Sequence, residues 1–138
     1  MSSNVDGSKA AKTVIRRLRA SAIFWFVIAG FQILIGLPLV LVGYGVSMII
    51  CGGWNIHASI TRLKTAKSME ENPLSIYPYF SSDSFQNYTL IFLLINLFFG
   101  GIIGVSASCY DLVLRHYVIK HEDELTIGLY PGEIYGDV

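Results

Sequence analysis

Residues 20–61, ASAIFWFVIAGFQILIGLPLVLVGYGVSMIICGGWNIHASIT, contain no Asp, Glu, Lys or Arg. As one continuous helix these residues would reach roughly 63 Å, twice the hydrocarbon thickness of a bilayer. The stretch must therefore fold back on itself. Helix breakers cluster at Gly36-Leu37-Pro38 and Gly43-Tyr44-Gly45, and a turn between them predicts a first helix from about Arg17 to Gly36 and a second from about Leu39 to Ile60. Almost nothing polar lies in the turn, so a tight apolar hairpin is expected, closing shallowly in the far leaflet.

A second uncharged stretch covers residues 84–110. Tyr88 and Tyr110 bracket apolar residues that would span roughly 32 Å as a helix, and aromatic rings favour the headgroup level. The expectation is one full span from Thr89 to Tyr110. Trp25 and Trp54 suit the same interfacial role on the basic side of the first two helices. With 53% hydrophobic and only 14% charged residues, the chain falls well below the about one-quarter charged content of soluble domains. The predicted fold class is an all-α integral membrane protein with three transmembrane helices, the first two forming a tight hairpin. The alternative is two helical hairpins, the second turning at Gly100-Gly101.

Charge is zero overall but unevenly placed. Lys9, Lys12, Arg16, Arg17 and Arg19 precede the first helix and predict a cytoplasmic N-terminus with contacts to anionic lipid. Arg62, Lys64 and Lys67 agree for the connecting segment. Arg115 and Lys120 follow the last apolar stretch and pull the C-terminus towards the same side, which favours the second hairpin. Three segments follow: a basic N-terminal segment, 1–19; a transmembrane helical domain, 20–110, with a polar loop over 61–87; and an amphipathic juxtamembrane helix with an acidic tail, 111–138. Leu112, Val113, Tyr117 and Ile119 supply the apolar face of that last helix. A plasma membrane, bacterial from the compact hairpins and the lack of processing signals, is the expected location. The long first stretch is unlike a cleaved signal peptide.

Within the apolar stretches the informative residues are the polar and the small ones. Gly43, Ser47, Cys51, Asn55 and Ser59 recur every four residues on the second helix; Asn96, Gly100, Gly104 and Ser108 do so on the third. Four-residue spacing of small side chains lets two helix backbones approach closely. Gln32 and Asn96 are the amides deepest in apolar sequence and are expected to face protein, since an unpaired amide in lipid is costly. At the interface, Asp111 and Arg115 stand at i and i+4, a possible ion pair on one helix face. His116 lies beside them, and His57 beside Trp54.

No HExxH, CxxC, P-loop or intraspan carboxylate pair occurs, which leaves no metal, cofactor or proton-relay arrangement to propose. The short basic run lacks interleaved aromatics and adjoins a membrane helix, so nucleic acid is not an expected partner. The functional expectation is a non-enzymatic accessory, assembly or regulatory subunit, or a homo-oligomer, acting by helix–helix association with itself or another membrane subunit. The alternative is an oligomeric pore or transporter subunit with a path lined by Gln32, Ser47, Asn55 and Asn96.

Overall fold

The first apolar stretch forms two long antiparallel helices. The structure, a computed structural model, describes residues 9–126. Glu133 and Asp137 of the acidic tail lie outside the described residues. Helix α1 (Lys9–Leu39) has 31 residues, about 47 Å, roughly 17 Å more than a hydrocarbon core requires. The excess is its charged N-terminal part, from Lys9 to Arg19. Pro38 falls in the last turn of α1, where its missing N–H and ring end the helix. A 3-10 turn, Val40–Val42, follows, and Gly43 takes φ +81° and donates its N–H to the Val40 carbonyl at 3.0 Å. Glycine adopts that left-handed conformation without a Cβ penalty.

Helix α2 (Tyr44–Glu71) then returns along α1. The turn lies between the two glycine clusters as expected, but α1 runs three residues beyond Gly36 and α2 starts at Tyr44 rather than Leu39. Closeness explains the shift: a Cβ on Gly45 would collide with the Gly36 carbonyl oxygen and the Val40 nitrogen. Further down, a Cβ on Gly52 would sit 2.8 Å from Ile33 Cγ1 and 3.0 Å from the Ala29 carbonyl oxygen. Small residues set the α1–α2 spacing along the pair.

The expected loop over 61–87 is largely helical. α2 continues to Glu71, a 3-10 turn spans Pro73–Ser75, and α3 covers Ile76–Ser81. Helix α4 (Asp83–Ile95) starts at Ser82, whose hydroxyl accepts the Phe85 N–H at 3.2 Å, a standard N-cap. A π-helical segment, Asn96–Gly100, leads into α5 (Gly101–Lys120), and α6 (Glu122–Thr126) ends the described chain.

The single span from Thr89 to Tyr110 gives way to two helices. Arg115 Nε donates to the Phe80 carbonyl at 3.1 Å, although the two are 35 residues apart in sequence; a continuous helix would separate them by about 50 Å. The chain therefore doubles back around the π-helical segment and Gly100-Gly101, the second hairpin. A Cβ on Gly104 would run into the Asn96 side chain, so the π-helical segment and α5 touch immediately past the reversal. The two turns lie at one end of the bundle, where the Tyr44 hydroxyl comes within 3.5 Å of the Phe98 carbonyl oxygen. At the other end the Ala10 N–H donates to Glu124 Oε2 at 3.2 Å, bringing α6 beside the start of α1. Residues 111–120 belong to α5 itself rather than to a separate juxtamembrane helix. Leu114 and Val118 face inward there, while Val113 and Ile119, expected on the apolar face, are exposed.

The Gly45 contact predicts that Gly45→Val destabilises the protein by about 1–3 kcal/mol through overpacking. Gly53, which has open space around its Cβ position, should accept alanine with no loss. Thermal unfolding in detergent, followed by helical circular dichroism, compares the two; equal midpoints would contradict the tight turn.

Candidate functional site: a polar column inside the bundle

Nine polar or charged side chains among the described residues are buried: Ser21, Gln32, Asn55, Ser59, Arg62, Thr89, Asn96, Ser108 and Asp111. Six of them form two connected groups inside the bundle, while Ser59, Thr89 and Ser108 bond backbone carbonyls. The first is built around Asp111 on α5, which is 1% exposed. Arg62 Nη2 on α2 reaches Asp111 Oδ2 at 2.6 Å, Trp25 Nε1 on α1 donates to the same oxygen at 3.0 Å, and the Ser21 hydroxyl donates to Oδ1. The Arg62 guanidinium also lies over the Trp25 ring, 5.0 Å from its centroid, and over the Phe92 ring at 5.7 Å. Three helices thus meet at one carboxylate. A charge taken from water costs several kcal/mol unless paired and hydrogen-bonded, and this pair has both kinds of compensation.

This pairing corrects the expected Asp111–Arg115 pair. Both partners fit helical spacing, but Asp111 points into the bundle towards Arg62, whereas Arg115 turns to the Phe80 carbonyl. The interfacial cluster does not assemble: His57 and His116 are both exposed, and neither joins Asp111. Sequence reading missed Arg62, Ser21 and Trp25 as members of this site. The available signal was the charge boundary itself, since Arg62 and Asp111 each end an uncharged stretch on the same side of the bundle.

The second group lies about two helical turns deeper along α2. Asn55 Nδ2 donates to Gln32 Oε1 at 2.8 Å and to Asn96 Oδ1 at 3.1 Å, and Gln32 Nε2 donates to Asn96 Oδ1 at 3.2 Å. Asn96 Nδ2 returns a bond to the Phe92 carbonyl at 3.0 Å, and the Cys51 thiol points at Asn96 Oδ1 from 3.6 Å. The three amides on α1, α2 and the π-helical segment therefore bind one another. Asn55 Oδ1 is the one buried side-chain atom without a partner among the described residues. Between the groups, Ser59 donates to the Ala22 carbonyl. Ser108 bonds back to the Gly104 carbonyl at 3.3 Å. Ser47 stands apart: half-buried, it bonds the Tyr44 carbonyl in its own turn. The surroundings of Gly100 lie outside the described residues.

The outer surface around this column is apolar. Phe26 (54%), Leu34 (66%), Ile50 (66%) and Ile102 (85%) are among many large aliphatic and aromatic side chains left exposed. Beyond Arg19 the order reverses. Val14, Leu18, Met69, Ile76, Phe80, Leu114, Val118 and Leu125 form a buried apolar core, while Lys12, Arg16, Lys64, Lys67, Glu70 and Glu71 lie outside. Two helices, Lys9–Val42 and Ile102–Lys120, are long and apolar enough to cross a membrane.

No protein-family model matches the chain, and no curated protein or solved structure is significantly similar to it.

Breaking the Asp111–Arg62 pair from one side leaves a buried charge without its partner. Asp111→Asn is expected to cost about 3–5 kcal/mol of unfolding free energy, and Asp111→Leu combined with Arg62→Met to recover most of it. The Arg19–Glu70 pair has the same 2.6 Å separation but side chains 48% and 42% exposed, so Glu70→Gln should cost under about 1 kcal/mol. Denaturant titration in mixed micelles measures all three. A loss for Asp111→Asn no larger than that for Glu70→Gln would refute the anchoring role.

Proposed function

We propose that this chain is an integral membrane protein whose two hairpins cross the bilayer as four spans. The N-terminus, the α2–α3 connector and α6 then share the cytoplasmic side, the side favoured by the basic residues before α1. The observation that carries this reading is the inverted polarity of the bundle. Amides, hydroxyls and an ion pair face inward beside Trp25, Ile28 and Phe92, while most of the large aliphatic and aromatic side chains at that level face outward, an arrangement that water opposes and hydrocarbon favours. A water-soluble four-helix bundle has the opposite order. The return to a conventional apolar core beyond Arg19 supports a water boundary near Ser21, Arg62 and Asp111.

On this reading the protein acts without catalytic chemistry, as an accessory, assembly or regulatory subunit or as a homo-oligomer in a bacterial plasma membrane. Close approaches of small residues occur within the chain, Gly45 with Gly36, Gly52 with α1 and, of the regularly spaced residues, Gly104 with Asn96. Association therefore falls to the exposed aliphatic and aromatic faces. The pore alternative has less support: Gln32, Asn55 and Asn96 bond one another within a single chain, which leaves Ser47 alone at the surface of the proposed path.

The test is topological. In a chain with Cys51 and Cys109 replaced, single cysteines at Lys12, Lys67 and Asp123 should all resist a membrane-impermeant thiol reagent on intact cells and label after permeabilisation. Labelling of Asp123→Cys alone on intact cells would mean an odd number of spans and contradict the four-span reading. For association, crosslinking in the native membrane should trap the chain with a second polypeptide; recovery only as a monomer would count against that part.

A further inference from the structure

α1 packs along α2 and α5, and α5 along α4, but α2 and α4 make few close approaches. Two cavities lie on the seam between them. The one nearer the charged end holds about 360 Å³ and is lined by Arg62 and the hydroxyl-bearing Thr61, Tyr79, Ser82, Ser84 and Tyr88, together with Ala58 and Phe85. Burial pushes the Tyr79 phenol above its ordinary value, opposed by the nearby Arg62 charge and a hydrogen bond with Thr65, so this hydroxyl stays neutral. The second cavity, of about 330 Å³, lies deeper and is lined by Ser47, Ile50, Cys51, Trp54, Ile95 and Phe99. Phe92 links the two, with its ring centroid 4.8 Å from Tyr88 and 6.2 Å from Trp54.

The seam is thus polar at the water boundary and apolar below it. Along α2 the stretch from Thr61 to Ser47 is about 21 Å, against about 15 Å for the hydrocarbon of one leaflet. Arg62 spends one donor on Asp111 at 2.6 Å, and a guanidinium carries five. A partner helix would match the deep part but would leave the remaining Arg62 donors and the Ser84 and Tyr88 hydroxyls unanswered, those of Thr61 and Ser82 being already bonded to the His57 and Tyr79 carbonyls. One occupant answers both ends.

Resting on the membrane reading above, we propose that the α2–α4 seam binds one glycerophospholipid, its phosphate in the Arg62 crevice and an acyl chain along the Ile50–Trp54–Phe99 groove. Charge-assisted bonds to the phosphate supply selectivity, and the groove supplies residence.

The test is native mass spectrometry of the full chain in detergent, offered dioleoylphosphatidylglycerol or dioleoylglycerol, which has the same chains and no phosphate. One phospholipid per chain should survive detergent removal, favoured by about tenfold over the diacylglycerol. Tyr88→Phe with Ser84→Ala should reduce that preference by about fivefold without touching the groove. Ile95→Trp, which fills the groove, should abolish retention of both lipids. Equal retention of the two lipids by the unmodified chain, or retention unchanged by both variants, overturns the proposal. So does a second copy crosslinking through Ser47→Cys in place of bound lipid. A chain that needs detergent yet retains no lipid sinks this proposal alone; one that stays soluble without detergent sinks the membrane reading with it.

Discussion

The Asp111 carboxylate holds the two hairpins in register. It accepts from Ser21 and Trp25 on α1 and from Arg62 on α2, while its own helix, α5, reaches the connector through Arg115 and Phe80. An apolar interface between helices tolerates sliding, because one leucine contact resembles the next. A carboxylate with three fixed donors does not. The amide group of Gln32, Asn55 and Asn96 repeats the device nearer the turns. Its individual bonds are weak, about 0.6 kcal/mol each for such contacts between membrane helices, but they tie α1 and α2 to the π-helical segment at a second level.

On the proposed membrane reading, two solvents explain the rest of the architecture. From Ser21 to the turns, polar groups turn inward among Trp25, Ile28 and Phe92 while most large apolar groups face outward; from Arg19 to Lys9 the order is that of a water-soluble protein. The ion pair sits at the change, where its charges are drawn inward yet stay close to the aqueous end. Trp25 is 0% exposed and donates its indole N–H to Asp111, so its amphipathic ring is turned into the bundle rather than towards the headgroups. Trp54, half exposed, faces outward but lies about two helical turns below that boundary along α2 rather than at the interface.

Much of this was legible in the sequence. Helical class followed from length without charge, and the first hairpin from a stretch too long for one span with glycines and a proline at its middle. Gln32 and Asn96 were expected to face protein, and they face each other. The second hairpin was legible only as an alternative, because residues 84–110 have the length of one good span. What divides them is that Asp111 and Arg115 are tolerated inside a helix once Arg62 and the Phe80 carbonyl receive them, and hydropathy along a chain does not register partners 49 and 35 residues away. The same blindness put Asp111 with Arg115, a local pair of correct spacing, instead of with Arg62. Spacing of small residues was informative about closeness but silent about the partner. Gly104 meets Asn96 of its own hairpin, where the four-residue pattern suggested a shared helical face.

The central claim is that α4 and α5 fold back on one another so that Asp111 meets Arg62. Spin labels on the exposed residues Ser84 and His116 test it most directly, by double electron–electron resonance in lipid nanodiscs. A continuous helix would hold the two sites about 48 Å apart; the hairpin predicts a single narrow distribution at well under half that separation. A distribution centred near the longer value would contradict the hairpin, and with it the ion pair and the inverted core.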